Sequence, residues 1–270
     1  MKKFILSFLV LVALVICAVV YVSCSKQKEN ILNDEPEFVN PMNFVGQYHN
    51  AGLDYILKKY PYYACNNKSY QDTIKQISTL LNDFRTTIPQ GSPLNNSAID
   101  YKTIGENISK KFIDNKGDEL KSAESKLSEK QRSYIDQLRK LLKDQNGDDS
   151  VAVFAKVSRL EKEIWKSNMT DDDKYRTLSV IAVGKYSWKY WANDKELNAK
   201  NASLVDTLIE ADIIGGIAGA VIGCFAGAVE GTFVMPGAGS VTGCILQGVV
   251  DAFEGAVVSS VVTAIIYLLL

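Results

Sequence analysis

Residues 213–231 read IIGGIAGAVIGCFAGAVEG, with a glycine at every fourth position: Gly215, Gly219, Gly223, Gly227 and Gly231. On a helix that spacing puts all five on one face and leaves a groove free of side chains. Each glycine costs about 1 kcal/mol of helix propensity relative to alanine in water, so the stretch holds as a helix only where close packing compensates. Contacts between small residues four apart are most frequent between helices in membranes. The five glycines are therefore expected to supply close helix contact, within one chain or between copies in a homo-oligomer.

Met235-Pro236-Gly237-Ala238-Gly239 interrupts the run, and a second apolar arm follows from Val241 to Leu270 with Gly243, Gly248 and Gly255 on it. The expected form is a helical hairpin over 211–270. Arms turning near Val234 bring Cys224 and Cys244 to one level, which makes them either a candidate disulfide or two small packed thiols. Ile213 to Val229 and Gly255 to Leu270 are free of charge for 17 and 16 residues, at the short limit for a bilayer span. Glu230, Asp251 and Glu254 weigh against spanning, because a carboxylate facing lipid is costly. Membrane association is the first expectation, and burial as the core of the preceding helices is the second.

At the other end, Lys2-Lys3 precede an apolar run from Phe4 to Val22, and then Ser23-Cys24 lead into a polar segment. This is the layout of an export leader over 1–23. The order of charge, apolar core and cysteine resembles the lipobox of bacterial lipoproteins, which implies lipidation at Cys24 and membrane lipid as a partner, in the cell envelope. Tyr21 stands where that pattern usually has leucine. Losing Lys2 and Lys3 with the leader changes 30 bases against 31 acids to 28 against 31, a balance that argues against nucleic acid. Residues 24–41, with Pro36 and Pro41 and no apolar periodicity, read as a tether.

Residues 42–210 carry several stretches of helical periodicity and no sustained alternation of the strand type, so the fold class is all-α, a helical bundle followed by the glycine-rich hairpin. Phe44, Val45, Tyr48, Leu53, Ile56 and Leu57 mark a first helix with Asn43 as its cap. Ile74, Ile77, Leu80, Leu81 and Phe84 mark a second, stopped by Pro89 to Pro93. Ser128-Glu129-Lys130-Gln131 has the form of a capping box, Asp149 is placed to open the following helix, and Thr170 followed by three aspartates opens another. The last of these helices ends in an aromatic cluster, Tyr186, Trp188, Tyr190 and Trp191. That cluster suits core packing or an interfacial belt equally, and Lys185 and Lys189 suggest one solvated face.

Two further resemblances concern this chain. The glycine pattern is similar to glycine-zipper segments of small envelope lipoproteins and to class II bacteriocins. Gly46-x-x-His49-Asn50-x-x-Leu53-Asp54, together with Lys185 to Trp191, resembles segments of uncharacterised Bacteroidota lipoproteins, a family that implies no activity.

Catalytic chemistry finds little support. His49 is the only histidine, which excludes a histidine-rich metal site and makes a helix-packing role the expected one. Cys65 lacks a local partner motif. Asp144, Asn146 and Asp148 imitate the start of an EF-hand loop, but Asp149 replaces its glycine and Ala155 its final glutamate. The expectation is a non-enzymatic envelope protein of structural or interaction type with no cofactor. The alternatives are an antibacterial, pore-forming protein, or a ligand-binding lipoprotein whose hairpin is buried core.

Overall fold

The computed structural model describes residues 38–59, 70–89, 92, 124–143, 150–192, 202–226, 232–235, 239–242, 252–253, 255–259 and 261. Cys24, Cys65, Gly227, Gly231, Cys244 and the loop from Asp144 to Asp148 lie outside them. Residues Val39–Leu270 form one compact unit. Its described part is an all-α bundle of α1 (Asn43–Lys59), α2 (Tyr70–Arg85), α3 (Glu129–Lys143), α4 (Ser150–Lys166), α5 (Asp171–Ala192) and α6 (Ala202–Ala226).

Local signals set several helix starts. The Gln131 amide donates to Ser128 Oγ while the Ser128 amide donates to Gln131 Oε1, the reciprocal pair of a capping box. Thr170 Oγ1 accepts from the Asp173 amide at the head of α5. At α1 the cap is Asn40, whose Oδ1 accepts from the Met42 amide, and not Asn43. Asn40 is 1% exposed, so the last residues of the expected tether belong to the bundle.

α5 is the hub, packed on α1, α3, α4 and α6. It is buried on every face from Thr177 to Ser187 apart from Tyr186, the burial pattern of a helix surrounded by others. α6 is its counterpart. From Leu204 to Val221 the only described residues of α6 not buried are Asp206, Thr207, Glu210 and Ile214. The boundary expected after Glu210 falls inside this unbroken helix.

Glycines allow the closest crossings. A Cβ on Gly215 would stand 2.3 Å from the Gly255 carbonyl oxygen, and one on Gly255 equally close to that of Gly215. The Gly219 nitrogen lies 3.4 Å from the same Gly255 position. At Gly215 and Gly219 the zipper face is thus closed by the second arm of the same chain. Gly46 permits the α1–α5 crossing, where a Cβ would meet the Ala182 oxygen at 2.4 Å.

Between the arms lies a feature absent from the helical reading. Thr232–Met235 and Gly239–Thr242 pair as an antiparallel β-hairpin, with Met235 opposite Gly239. The β-branched and aromatic residues Thr232, Phe233, Val234, Val241 and Thr242 favour this. Val234, about which the arms were expected to turn, lies within the first strand, opposite Ser240. Among the described residues no helix is long and apolar enough to cross a membrane.

The crossing geometry separates two adjacent glycines. Gly215→Val is expected to destabilise the bundle by about 3 kcal/mol or more, since backbone must move to admit the side chain. Gly216→Ala meets Val183 at 3.6 Å, an ordinary contact, and is expected to stabilise it by up to about 1 kcal/mol. Urea unfolding followed by circular dichroism reads both; equal effects would place the glycine contact elsewhere.

Candidate functional site

Where α1, α5 and α6 meet, a cage of polar side chains lies in the core. Asp212 is the only charged residue of α6 beyond Glu210 and is fully buried. Its Oδ2 accepts from Ser187 Oγ at 2.5 Å and from Trp191 Nε1 at 2.9 Å. Its Oδ1 lies 3.0 Å from His49 Nε2, with both side chains at zero exposure. That contact is one of charge rather than an aligned hydrogen bond, for neither atom has a hydrogen-bond partner.

The surroundings define the protonation of His49. Asn50 Nδ2 donates to the Tyr186 carbonyl at 2.9 Å, which orients the amide and turns Asn50 Oδ1 toward His49 Nδ1 at 3.0 Å. Both ring nitrogens therefore face oxygen acceptors, and a bare nitrogen lone pair would be repelled at either position. This setting favours the protonated ring. Burial by itself would push the pKa down, but the Asp212 charge, helped by Asn50, raises it above the ordinary 6.5.

A second cage joins the start of α1 to α4 and α5. Lys185 Nζ donates to Glu161 Oε1 at 2.7 Å and to Asn43 Oδ1 at 2.7 Å. Asn40 Nδ2 donates to Glu161 Oε1 at 2.8 Å and to the Leu178 carbonyl at 3.1 Å. The ammonium also lies 5.6 Å from the Phe154 ring centre and 5.5 Å from that of Tyr186, within cation–π range. Lys185 is 3% exposed, which corrects the solvated face expected of it. Lys189 is exposed.

Each quoted position of the Gly46-x-x-His49-Asn50-x-x-Leu53-Asp54 pattern has a place in this arrangement. Gly46 admits α5, His49 meets Asp212, Asn50 holds the Tyr186 carbonyl, Leu53 is core, and Asp54 Oδ1 accepts from Tyr190 Oη at 2.8 Å. On α5, Tyr186 Oη accepts from Gln47 Nε2 at 3.1 Å, while Trp188 and Trp191 are buried. The two segments singled out in the sequence thus face one another. Asp212 and Glu161 escaped notice there, since neither belongs to a motif.

Chemically, the cages are built for cohesion. A nucleophile–base pair needs a free imidazole nitrogen within reach of the hydroxyl. Here Ser187 donates to Asp212 instead of His49, and all three side chains are closed to solvent. Among the described residues no group of three His, Cys, Asp or Glu side chains is placed to hold a metal ion. At the surface, Arg139 binds Glu124, Asp136 and Glu210, beside a cleft of about 670 Å³ floored by Leu142, Ile209, Ile213 and Ile214.

Compared with known protein families, curated proteins and solved structures, the chain matches none.

Removing one member of the His49–Asp212 pair strands the other. His49→Gln is expected to cost about 3–5 kcal/mol, and adding Asp212→Asn to recover part of it. Because the folded pKa of His49 is raised, its contribution is complete below pH 6.5 and is lost as pH rises through the folded value. Urea midpoints across that range should fall with pH in the wild type more steeply than in His49→Gln; parallel profiles would contradict the pair.

Proposed function

We propose that the chain is a lipid-anchored protein of the bacterial cell envelope, exported behind its leader, held at Cys24, and acting by interaction rather than catalysis. Its glycine-rich segment serves as the internal core of the helical domain. The observation that carries this reading is the burial of α6 within its own chain, with Gly215 seated on Gly255 and Asp212 caged by α1 and α5. Over its described length to Val221, a helix so occupied turns Gly215 and most of its apolar side chains toward its own chain and away from a second copy or lipid. A pore-forming hairpin would first have to break both contacts and carry the Asp212 carboxylate out of its cage.

The non-catalytic half of the reading draws on the single histidine. With one ring nitrogen beside Asn50, the other beside Asp212 and the side chain closed to solvent, the imidazole is withdrawn from base chemistry, and a triad in this chain would need it. Interaction is then left to the surface and to the anchor.

Metabolic labelling with palmitate tests the anchor. Wild type should take up the label and partition into detergent, and Cys24→Ala should take up none. Equal labelling of both, or labelling of neither, would contradict lipidation at Cys24.

A further inference from the structure

Positive charge is concentrated on two neighbouring helices of an otherwise slightly acidic chain. The packed pair α3 and α4 carries nine bases against four acids, whereas α6 carries three acids and no base. Of the four acids, Glu161 is buried against Lys185, while Asp136 is exposed and lies beside Arg139, which also binds Glu124 and Glu210. Arg132, Lys140, Lys143 and Arg159 are exposed, and no ion pair engages them among the described residues. Lys140, Lys156 and Arg159 converge on one groove of about 350 Å³ between the helices, with Glu163 as its single acid. Arg132 and Lys140 border the next hollow along α3, beside Glu129 and Asp136.

We propose that this α3–α4 face docks on the anionic headgroups of the membrane to which the chain is attached. The inference rests on the attachment reading above. The sequence itself argues for lipid over other polyanions, because lipidation at Cys24 behind the leader ties the domain to a bilayer. The 15 residues from Cys24 to Phe38 reach at most about 50–55 Å when fully extended. A domain confined to that layer meets the surface at a high effective concentration, so a few basic contacts suffice. Asn40, two residues beyond that stretch, is bonded to Glu161 of α4, one of the two basic helices. At an anionic leaflet each base near the surface is worth about a fivefold change in occupancy, screened by salt.

The test uses the full-length chain reconstituted in vesicles of phosphatidylcholine alone or with phosphatidylglycerol, probed by an amine-reactive label. Lys140, Lys143 and Lys156 should be labelled about fivefold more slowly on the anionic vesicles, and about 0.5 M salt should abolish the difference. Lys58 and Lys75, on α1 and α2, should not change. The double substitution Lys140→Glu, Arg159→Glu should return Lys143 and Lys156 to the rate on phosphatidylcholine. Equal labelling on both vesicles, or protection that salt does not relieve, overturns the docking and leaves the attachment standing. Equal protection by a soluble polyphosphate without vesicles moves the face to a different partner and also overturns it. Loss of the chain from both vesicle types in a salt wash is the separate failure of the attachment, and takes the docking with it.

Discussion

A carboxylate buried midway along α6, where its apolar run begins, is the constraint on which this structure turns. Asp212 precedes a run of α6 with no other charge, in surroundings where an isolated ion would be severely destabilised. Its charge is tolerated because α1 brings His49 and α5 brings Ser187 and Trp191 to the same point. Three helices are therefore fixed in register by one side chain. The apolar core around them, with Leu53, Ile181, Ile213 and Ile217 fully enclosed, supplies the larger driving force, but it is non-directional. The ion pair supplies the direction.

The same logic explains the glycines. A four-residue glycine spacing is ambiguous between lipid and protein surroundings because both reward close backbone approach. Over the described part of α6 the close approach is to protein: Gly255 on one side, Val183 and Gly184 of α5 on another, and a caged acid just before the segment. The core in which it sits contains two buried ion pairs, and such pairs are weak contributors to net stability compared with well-packed apolar residues. Their value here lies in specifying one arrangement of helices whose apolar faces would otherwise pack in several ways. Lys185 plays that part for the start of α1, tying Asn43 and Glu161 to α5 while Asn40 closes the same cage.

Much of the fold was legible in the sequence because its signals are local. Ser128 with Gln131 and Thr170 with Asp173 act over three residues, and the apolar stripes of α3 and α4 follow the period of the helix. The cages were not legible, because their partners lie far apart in sequence: Lys185 and Asn43 are separated by 142 residues, Asn40 and Glu161 by 121. Lys185 therefore looked solvated, and Asp212 passed unnoticed at the edge of an apolar run. The Gly46-to-Asp54 pattern was visible as a pattern only, since its meaning depends on α5 lying across it. The β-hairpin was missed for a different reason, its strands being four residues each and set between longer helical stretches.

Because His49 is the only histidine, its ring can be observed without assignment ambiguity. Nitrogen-15 NMR of the imidazole in the full chain, recorded as pH is raised through 6.5, tests most directly whether α6 is the caged core of the bundle. The account predicts two protonated ring nitrogens persisting above the ordinary pKa of 6.5, with slow exchange of both protons with water. A ring that loses a proton at its ordinary pKa, with one nitrogen showing the shift of a free lone pair at neutral pH, would mean that Asp212 is not beside it and that α6 is not held there.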